Sequence, residues 1–278
     1  MLAGLTIVHI IILLVTGAVA GFASSLLGIG GGIFMNPVLY FVFSSIGLPA
    51  DTALKLAFGT SVLVILPTAI SGTLRHHSKG AVWWKAALIM GSFSAMASFG
   101  GSTLAAHLHA TVLKIAFGVV ILGSGIRMLT SALPQAEEVP RNNIWLWIAW
   151  AIPIGFFSGL FGVGGGIVAI PVMTLALRFK IHNAVATSLA MMILTSIGGV
   201  IGYIRGGLGV PDLPAYSIGY VNLPAWLLLT AASIGMAQVG ALTAHRLPAR
   251  WLRYFFIALI FYMALKMLGV FQWLGWPI

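Results

Sequence analysis

Along this chain apolar residues come in long runs, separated by short polar or glycine-rich connections, without the period-two alternation of a half-buried strand. The runs fall at about 5–27, 32–45, 53–74, 82–106 and 111–130, then at 144–161, 166–177, 183–204, 221–244 and 249–271. Most approach the roughly 20 residues an α-helix needs to cross the hydrocarbon of a bilayer. The pattern predicts an all-α integral membrane protein with about ten transmembrane segments.

The runs repeat. Residues 21–33 read GFASSLLGIGGGI and residues 155–167 read GFFSGLFGVGGGI, and Pro37 then aligns with Pro171. The register resumes, after a shorter connection in the second half, with Gly59-Thr60-Ser61 against Ala186-Thr187-Ser188 and Thr68–Gly72 against Thr195–Gly199. Beyond a longer second-half connection, Leu208–Ile218, Gly101 aligns with Gly240, Leu113-Lys114 with Leu252-Arg253 and Met128-Leu129 with Met267-Leu268. The expected organisation is one membrane repeat over 1–133, a linker at 134–143 and a second repeat over 144–278.

The second run of each half is short, so a shallow hairpin with four crossings per half competes with five crossings. Charge decides between them. Five crossings put Arg75, Lys79, Lys85, Arg127, Arg141, Arg178, Lys180, Arg246, Arg250 and Arg253 on one side, against Lys55, Lys114, Arg205 and Lys266 on the other. Four crossings divide the same residues evenly and leave the positive-inside rule nothing to act on. An odd number of crossings makes the halves inverted repeats related by a pseudo-twofold axis in the membrane plane. Both termini are then non-cytoplasmic.

The first run, with Ile7–Val15 and then Ala18-Val19-Ala20, imitates a secretory signal peptide. No Lys or Arg precedes it and its counterpart recurs at Trp145–Ser158, so it reads as a retained helix. Composition agrees: of 278 residues 60% are hydrophobic and 6% charged, far below the roughly 25% of a soluble domain. Lys and Arg outnumber Asp and Glu by 14 to 4. The basic residues sit in short connections, which points to lipid head groups and orientation rather than nucleic acid. Cysteine is absent, and the acidic residues are only Asp51, Glu137, Glu138 and Asp212. Thiolate metal sites, carboxylate metal sites and paired-carboxylate catalysis are therefore disfavoured, and nothing calls for a cofactor.

Candidate chemistry gathers at Gly28, Gly30, Gly31 and Gly32 and at Gly162, Gly164, Gly165 and Gly166. Four glycines in five positions make a continuous helix costly, at about 1 kcal/mol each against alanine, and predict broken helices near the midplane. Irregular backbone at that depth must be buried in protein or face a watery cavity. The helix beginning after each break offers free N–H groups and a partial positive charge, suited to an anion. Thr60, Ser61, Thr187 and Ser188 are candidate hydroxyl donors, and Asn36, just before Pro37, a candidate amide. The plain alternative is that the glycines allow close helix packing and the hydroxyls bond their own helices. Asn183, His182 and Gln238 are the other polar residues within apolar runs. Lys55 with Asp51 reads as an ordinary surface pair. Arg75, His76, His77 and Lys79 read as an orientation signal or an anion-attracting vestibule.

The duplicated pattern GFxSxLxG[IV]GGGxxxxP, followed by [AG]TS, resembles the sulfite exporter TauE/SafE family, also called the toluene sulfonate uptake permease family. That resemblance implies a multi-pass transporter of the bacterial or archaeal plasma membrane, taking sulfite or organosulfonates. It carries Ser24 and Ser158 into the candidate site beside the glycines and hydroxyl pairs. Lys55 stands where the second half has His182, so the site need not be symmetric. The expected function is a secondary transporter, and an exporter, of small sulfur-containing oxyanions, working by alternating access with proton coupling or facilitated passage. An anion channel with a continuous pore is the competing reading; an intramembrane enzyme or assembly factor lacks a catalytic constellation.

Overall fold

The computed structural model describes residues 5–130 and 140–248, with isolated positions between 251 and 270. Linker residues 134–139, most of the expected segment 249–271, and the matches at Leu252-Arg253 and Met267-Leu268 lie outside the described residues. So do Arg250, Arg253, Lys266, Glu137 and Glu138, and the side chain of Arg127.

The helices are α1 (Ile7–Leu27), α2 (Gly32–Ser45), α3 (Ala50–His77), α4 (Trp84–His107), α5 (Ala110–Thr130), α6 (Ile144–Phe161), α7 (Gly166–Pro171), α8 (Ile181–Gly207) and α9 (Leu223–Ala244). Six of these, namely α1, α3, α4, α6, α8 and α9, are long and apolar enough to cross a membrane. The protein is thus an all-α membrane protein.

Its surface inverts the soluble rule. Large apolar side chains point outward, as with Ile7, Ile11 and Val15 on α1, Met96 on α4, Trp145 and Ile152 on α6, and Ile201 on α8. Hydroxyls are buried instead, among them Ser24, Thr60, Ser61, Thr68, Ser94, Ser98, Thr187, Ser188 and Ser233. Lipid gives apolar side chains no reason to hide, so helices associate through close backbone approach and buried polar contacts.

Glycines supply that approach in matched pairs. A Cβ at Gly21 would run into the Ser233 backbone of α9, and one at Gly155 into the Ser94 backbone of α4. Gly240 meets the Phe22 backbone, and Gly101 that of Phe156. So α1 packs on α9 as α6 packs on α4, and α3 and α8 lie against each other between them.

Three features depart from plain apolar helices. Pro171 ends α7, and the chain continues as a π-helical turn, Val172–Ala176, in which Leu177 N–H bonds Val172 O at 3.0 Å. Its first-half counterpart α2 runs through Pro37 as regular helix. Before α9 a two-stranded antiparallel hairpin forms, β1 (Ser217–Ile218) with β2 (Val221–Asn222), turning through Gly219 at φ 54°. Asn222 then caps α9, its side chain accepting from Ala225 N–H.

Candidate functional site

Both glycine stretches are breaks between helices. Gly28 ends α1 in the left-handed region (φ 70°, ψ 25°), its N–H donating to Ser24 O at 2.7 Å. Gly30 and Gly31 keep φ at 86° and 72°, and α2 starts at Gly32. The second break repeats this, with φ of 64° at Gly162, 77° at Gly164 and 88° at Gly165 before α7. Glycine has no Cβ to oppose this conformation, which explains the residue type.

The two breaks lie directly on each other. A Cβ at Gly32 would sit 2.7 Å from Gly162 O and from Val163 Cα; one at Gly166 would sit 2.6 Å from Ile29 Cα and closer still to Gly28 O. Hydrogen bonds cross reciprocally. Ser61 Oγ on α3 donates to Gly162 O at 2.7 Å, and Ser188 Oγ on α8 donates to Gly28 O at 3.0 Å. Asn36 Nδ2 adds bonds to Phe161 O at 2.9 Å and Gly162 O at 3.3 Å, for which the second half has no equivalent among the described residues.

What these residues leave unpaired matters as much. Residues 28–33 and 162–167 are all buried. Among the described residues, the N–H groups of Gly30, Gly31, Gly32 and Ile33, and of Gly164, Gly165, Gly166 and Ile167, donate to no protein acceptor. Ser24 Oγ and Asn36 Oδ1 are likewise buried without a partner. Ser158 lies beside the second break, its Oγ 3.4 Å from the Cβ position of Gly165. An unsatisfied buried donor costs about 1–3 kcal/mol, so such a concentration is not an ordinary feature of a packed core.

Thr60 and Thr187 are engaged elsewhere. Thr60 Oγ1 accepts from Asn222 N–H at 2.9 Å and Thr187 Oγ1 from Trp83 N–H at 3.1 Å, each fixing the connection that leads into α9 or α4. Gln238 bonds Ser71, and Asn183 donates to Ala81 O, both away from the breaks.

Two apolar residues absent from the sequence-based candidates complete the centre. Ile65 and Met192 are fully buried beside the breaks: Met192 Sδ lies 3.0 Å from a Cβ placed on Gly30, and Ile65 Cγ2 lies 3.0 Å from one on Gly164. Each stands one helical turn past a clasping serine, Ser61 or Ser188, on the same helix face. That spacing was the available signal. No Lys, Arg, Asp or Glu occupies residues 15–45 or 149–177, so the segments that form the breaks bring backbone dipoles and no charged side chain of their own.

The family described as sulfite exporter TauE/SafE matches residues 13–267. A probable membrane transporter protein of Methanocaldococcus jannaschii is 32% identical over 92% of this chain and 94% of its own length. One from Haemophilus influenzae is 30% identical over 93% of this chain and 97% of its own. The Bacillus subtilis probable membrane transporter protein YunE is 30% identical over 71% of this chain and 79% of its own. No solved structure matches. With a match that runs through both glycine breaks and every long helix described above, the chain belongs to the sulfite exporter TauE/SafE family of membrane transporters.

Proposed function

We propose that this protein is a secondary transporter that exports small sulfur-containing oxyanions, such as sulfite or an organosulfonate, by alternating access around a midplane site made by the two glycine breaks. The observation that carries the reading is the set of buried, unpaired amides at Gly30–Ile33 and Gly164–Ile167, with the unpartnered Ser24 hydroxyl beside them. An oxyanion accepts several hydrogen bonds at once, so it matches the unpaired donors gathered here. Held by dipoles rather than buried cations, it is released when the breaks separate.

The reciprocal clasps, Ser61 to Gly162 and Ser188 to Gly28, support an inverted pair of repeats over 1–133 and 144–278. On this reading there are about ten segments, the glycine-flanked helices α2 and α7 among them. The charge count sets Arg75, Lys79, Lys85, Arg141, Arg178, Lys180 and Arg246 toward the cytoplasm, in the plasma membrane of a bacterium or archaeon, with both termini outside. The partners are the bilayer, the anionic solute and a coupling proton. Burial of both breaks behind Ile65 and Met192 favours an occluded site over the continuous pore of a channel.

Thermal unfolding of the purified protein with sulfite, thiosulfate, sulfoacetate, sulfate and chloride tests this. The expected result is stabilisation by a sulfur oxyanion that Ser24→Ala weakens while leaving the ligand-free melting temperature unchanged, and saturable counterflow of labelled sulfite in proteoliposomes. Stabilisation by none of these anions would overturn the solute class; flux that never saturates would favour a pore.

A further inference from the structure

We infer that His76, His245 and His182 form a proton-binding site at the end of the molecule where the basic connections gather, and that protonation there releases the last turn of α3 from α1. His76 is 1% exposed. Its Nε2 lies 2.9 Å from Ser25 O on α1. A carbonyl only accepts, so Nε2 carries hydrogen and donates. Its Nδ1 lies 3.0 Å from Nε2 of His245, just past α9. One hydrogen lies between those two nitrogens. Two added protons, one to each ring, put a hydrogen on each facing nitrogen and that contact is lost; a charged His76, 1% exposed and without a carboxylate beside it, then moves to water and leaves Ser25 O. The His182 ring, from the first turn of α8, stacks on His245 with centroids 6.2 Å apart, and its Nε2 meets Ala244 O at 3.1 Å and Leu247 O at 3.3 Å.

A chain of three imidazoles, from α8, from just past α9 and from α3, therefore ends with His76 on the backbone of α1, at the residue next to Ser24 and one turn before the first glycine break. The charged groups acting on the pair are His182 from α8 and Lys79 from the connection after α3; α1 brings none. Arg75 and His77 flank His76, Lys180 precedes α8 and Arg246 follows His245. No described carboxylate faces the cluster: Asp51 is at the opposite end of α3, bonded to Ala110 N–H, and Asp212 follows α8.

The other half shows that histidine is not needed for the clasp itself. By the repeat register His76 matches Tyr203, Ser25 matches Gly159, His182 matches Lys55 and His245 matches Ala106. Tyr203 hydroxyl donates to Gly159 O at 2.8 Å, the same backbone bond made by a phenol, and Lys55 Nζ donates to Ala106 O at 2.7 Å. Both ends are tied by the same kind of bond, but only the imidazole end makes it with side chains that change charge between about pH 5 and 8; at the other end His107 bonds Thr103 O and His109 bonds Asp51, outside the Tyr203 and Lys55 clasps. A proton taken up there acts on one clasp and leaves its Tyr203 and Lys55 counterpart unchanged, the asymmetry that proton coupling uses. This role in coupling rests on the transporter reading; the site itself is tested without a solute.

The test is hydrogen exchange on the full-length purified protein at about pH 5 and 8, corrected for intrinsic exchange, in wild type and in His76→Tyr/His182→Lys/His245→Ala, which installs the other end's side chains. In wild type, segments 20–33 and 70–80 are expected to lose protection about tenfold at the lower pH, the effect of one unit of proton linkage, while 54–60 and 198–207, clear of the Asp51–His109 pair, stay constant. In the triple variant all four segments are expected to be insensitive to pH. A flat wild-type profile, or an acid response retained in the triple variant, would overturn the proposal. Should the triple variant not fold, His245→Ala alone is expected to diminish the acid response, and an undiminished response refutes the site. If wild type opens with acid yet moves no labelled sulfite in proteoliposomes, the proton site stands and the sulfite assignment falls.

Discussion

Replacing Gly166 by alanine adds a single methyl group where the two breaks touch. That carbon would lie 2.6 Å from Ile29 Cα, against the roughly 3.5–4.0 Å of a comfortable carbon contact, and nearer still to Gly28 O and the Met192 methyl. Two of these three neighbours are backbone, so relief requires the breaks to separate by about 1 Å. Overpacking of this kind costs about 1–3 kcal/mol. The shift also stretches the 3.0 Å bond from Ser188 Oγ to Gly28 O, a further loss of about 1 kcal/mol. The expected total is roughly 2–4 kcal/mol, read as a fall in unfolding midpoint of the detergent-solubilised protein. Gly32→Ala, 2.7 Å from Gly162 O and Val163 Cα, is expected to be severe but somewhat milder. Gly100→Ala and Gly235→Ala are the controls. Both are helical glycines with nothing near the added carbon, so helix propensity alone predicts stabilisation of about 0.5–1 kcal/mol. If Gly166→Ala melts together with Gly235→Ala, the breaks do not press on each other and the central packing described above is wrong.

Ser188→Ala is expected to cost more than Ser61→Ala, about 1–3 against 0.5–1.5 kcal/mol, because Gly28 O loses its partner whereas Gly162 O keeps Asn36; equal midpoints in paired melts would contradict that ordering. Asn36→Leu removes two bonds to the second break and is expected to lower both stability and sulfite counterflow, so unchanged counterflow in a folded variant would take Asn36 out of the site. Met192→Ala is expected to open the centre and raise leak of labelled sulfite in the absence of counter-solute, and a wild-type leak rate would show that Met192 does not occlude the path. Burial, with Asp51 adding to it, raises the Tyr220 hydroxyl pKa above its usual value. A raised folded pKa gives stability that is complete below about pH 10 and lost above it; Tyr220→Phe should flatten that alkaline limb, and an unchanged limb would assign it to other groups.

The helices were legible because a membrane segment announces itself by length and hydropathy, with its ends marked where polar residues begin: α2 starts at Gly32 and α6 covers Ile144–Phe161, as the runs indicate. The breaks were legible because clustered glycine has few other uses inside an apolar run. The roles of the hydroxyls were less so. Sequence pairs Thr60 with Ser61 and Thr187 with Ser188, yet adjacent residues on a helix point about 100° apart, so the serines reach the breaks and the threonines the connections. Ile65 and Met192 look like every other buried apolar residue until the breaks are placed beside them. The hairpin before α9 was hidden because Ser217–Asn222 is too short to show a period, and it forms around the long-range bond from Asn222 N–H to Thr60.

The serine clasps also bear on how such a chain arises. Neither half finishes its own glycine turn: the carbonyl of Gly28 is satisfied by a hydroxyl carried beyond residue 144, and that of Gly162 by one carried before residue 133. Each half behaves as a subunit whose partner happens to be covalently attached. On the inverted-repeat reading proposed above, a single-length protein with one such turn and one such serine would have every donor and acceptor needed to pair reciprocally with a copy of itself in the opposite orientation. Under the inverted arrangement proposed above, the places where the halves differ, His76 against Tyr203 and Asn36 against Ile170, are where a two-sided machine would acquire a direction.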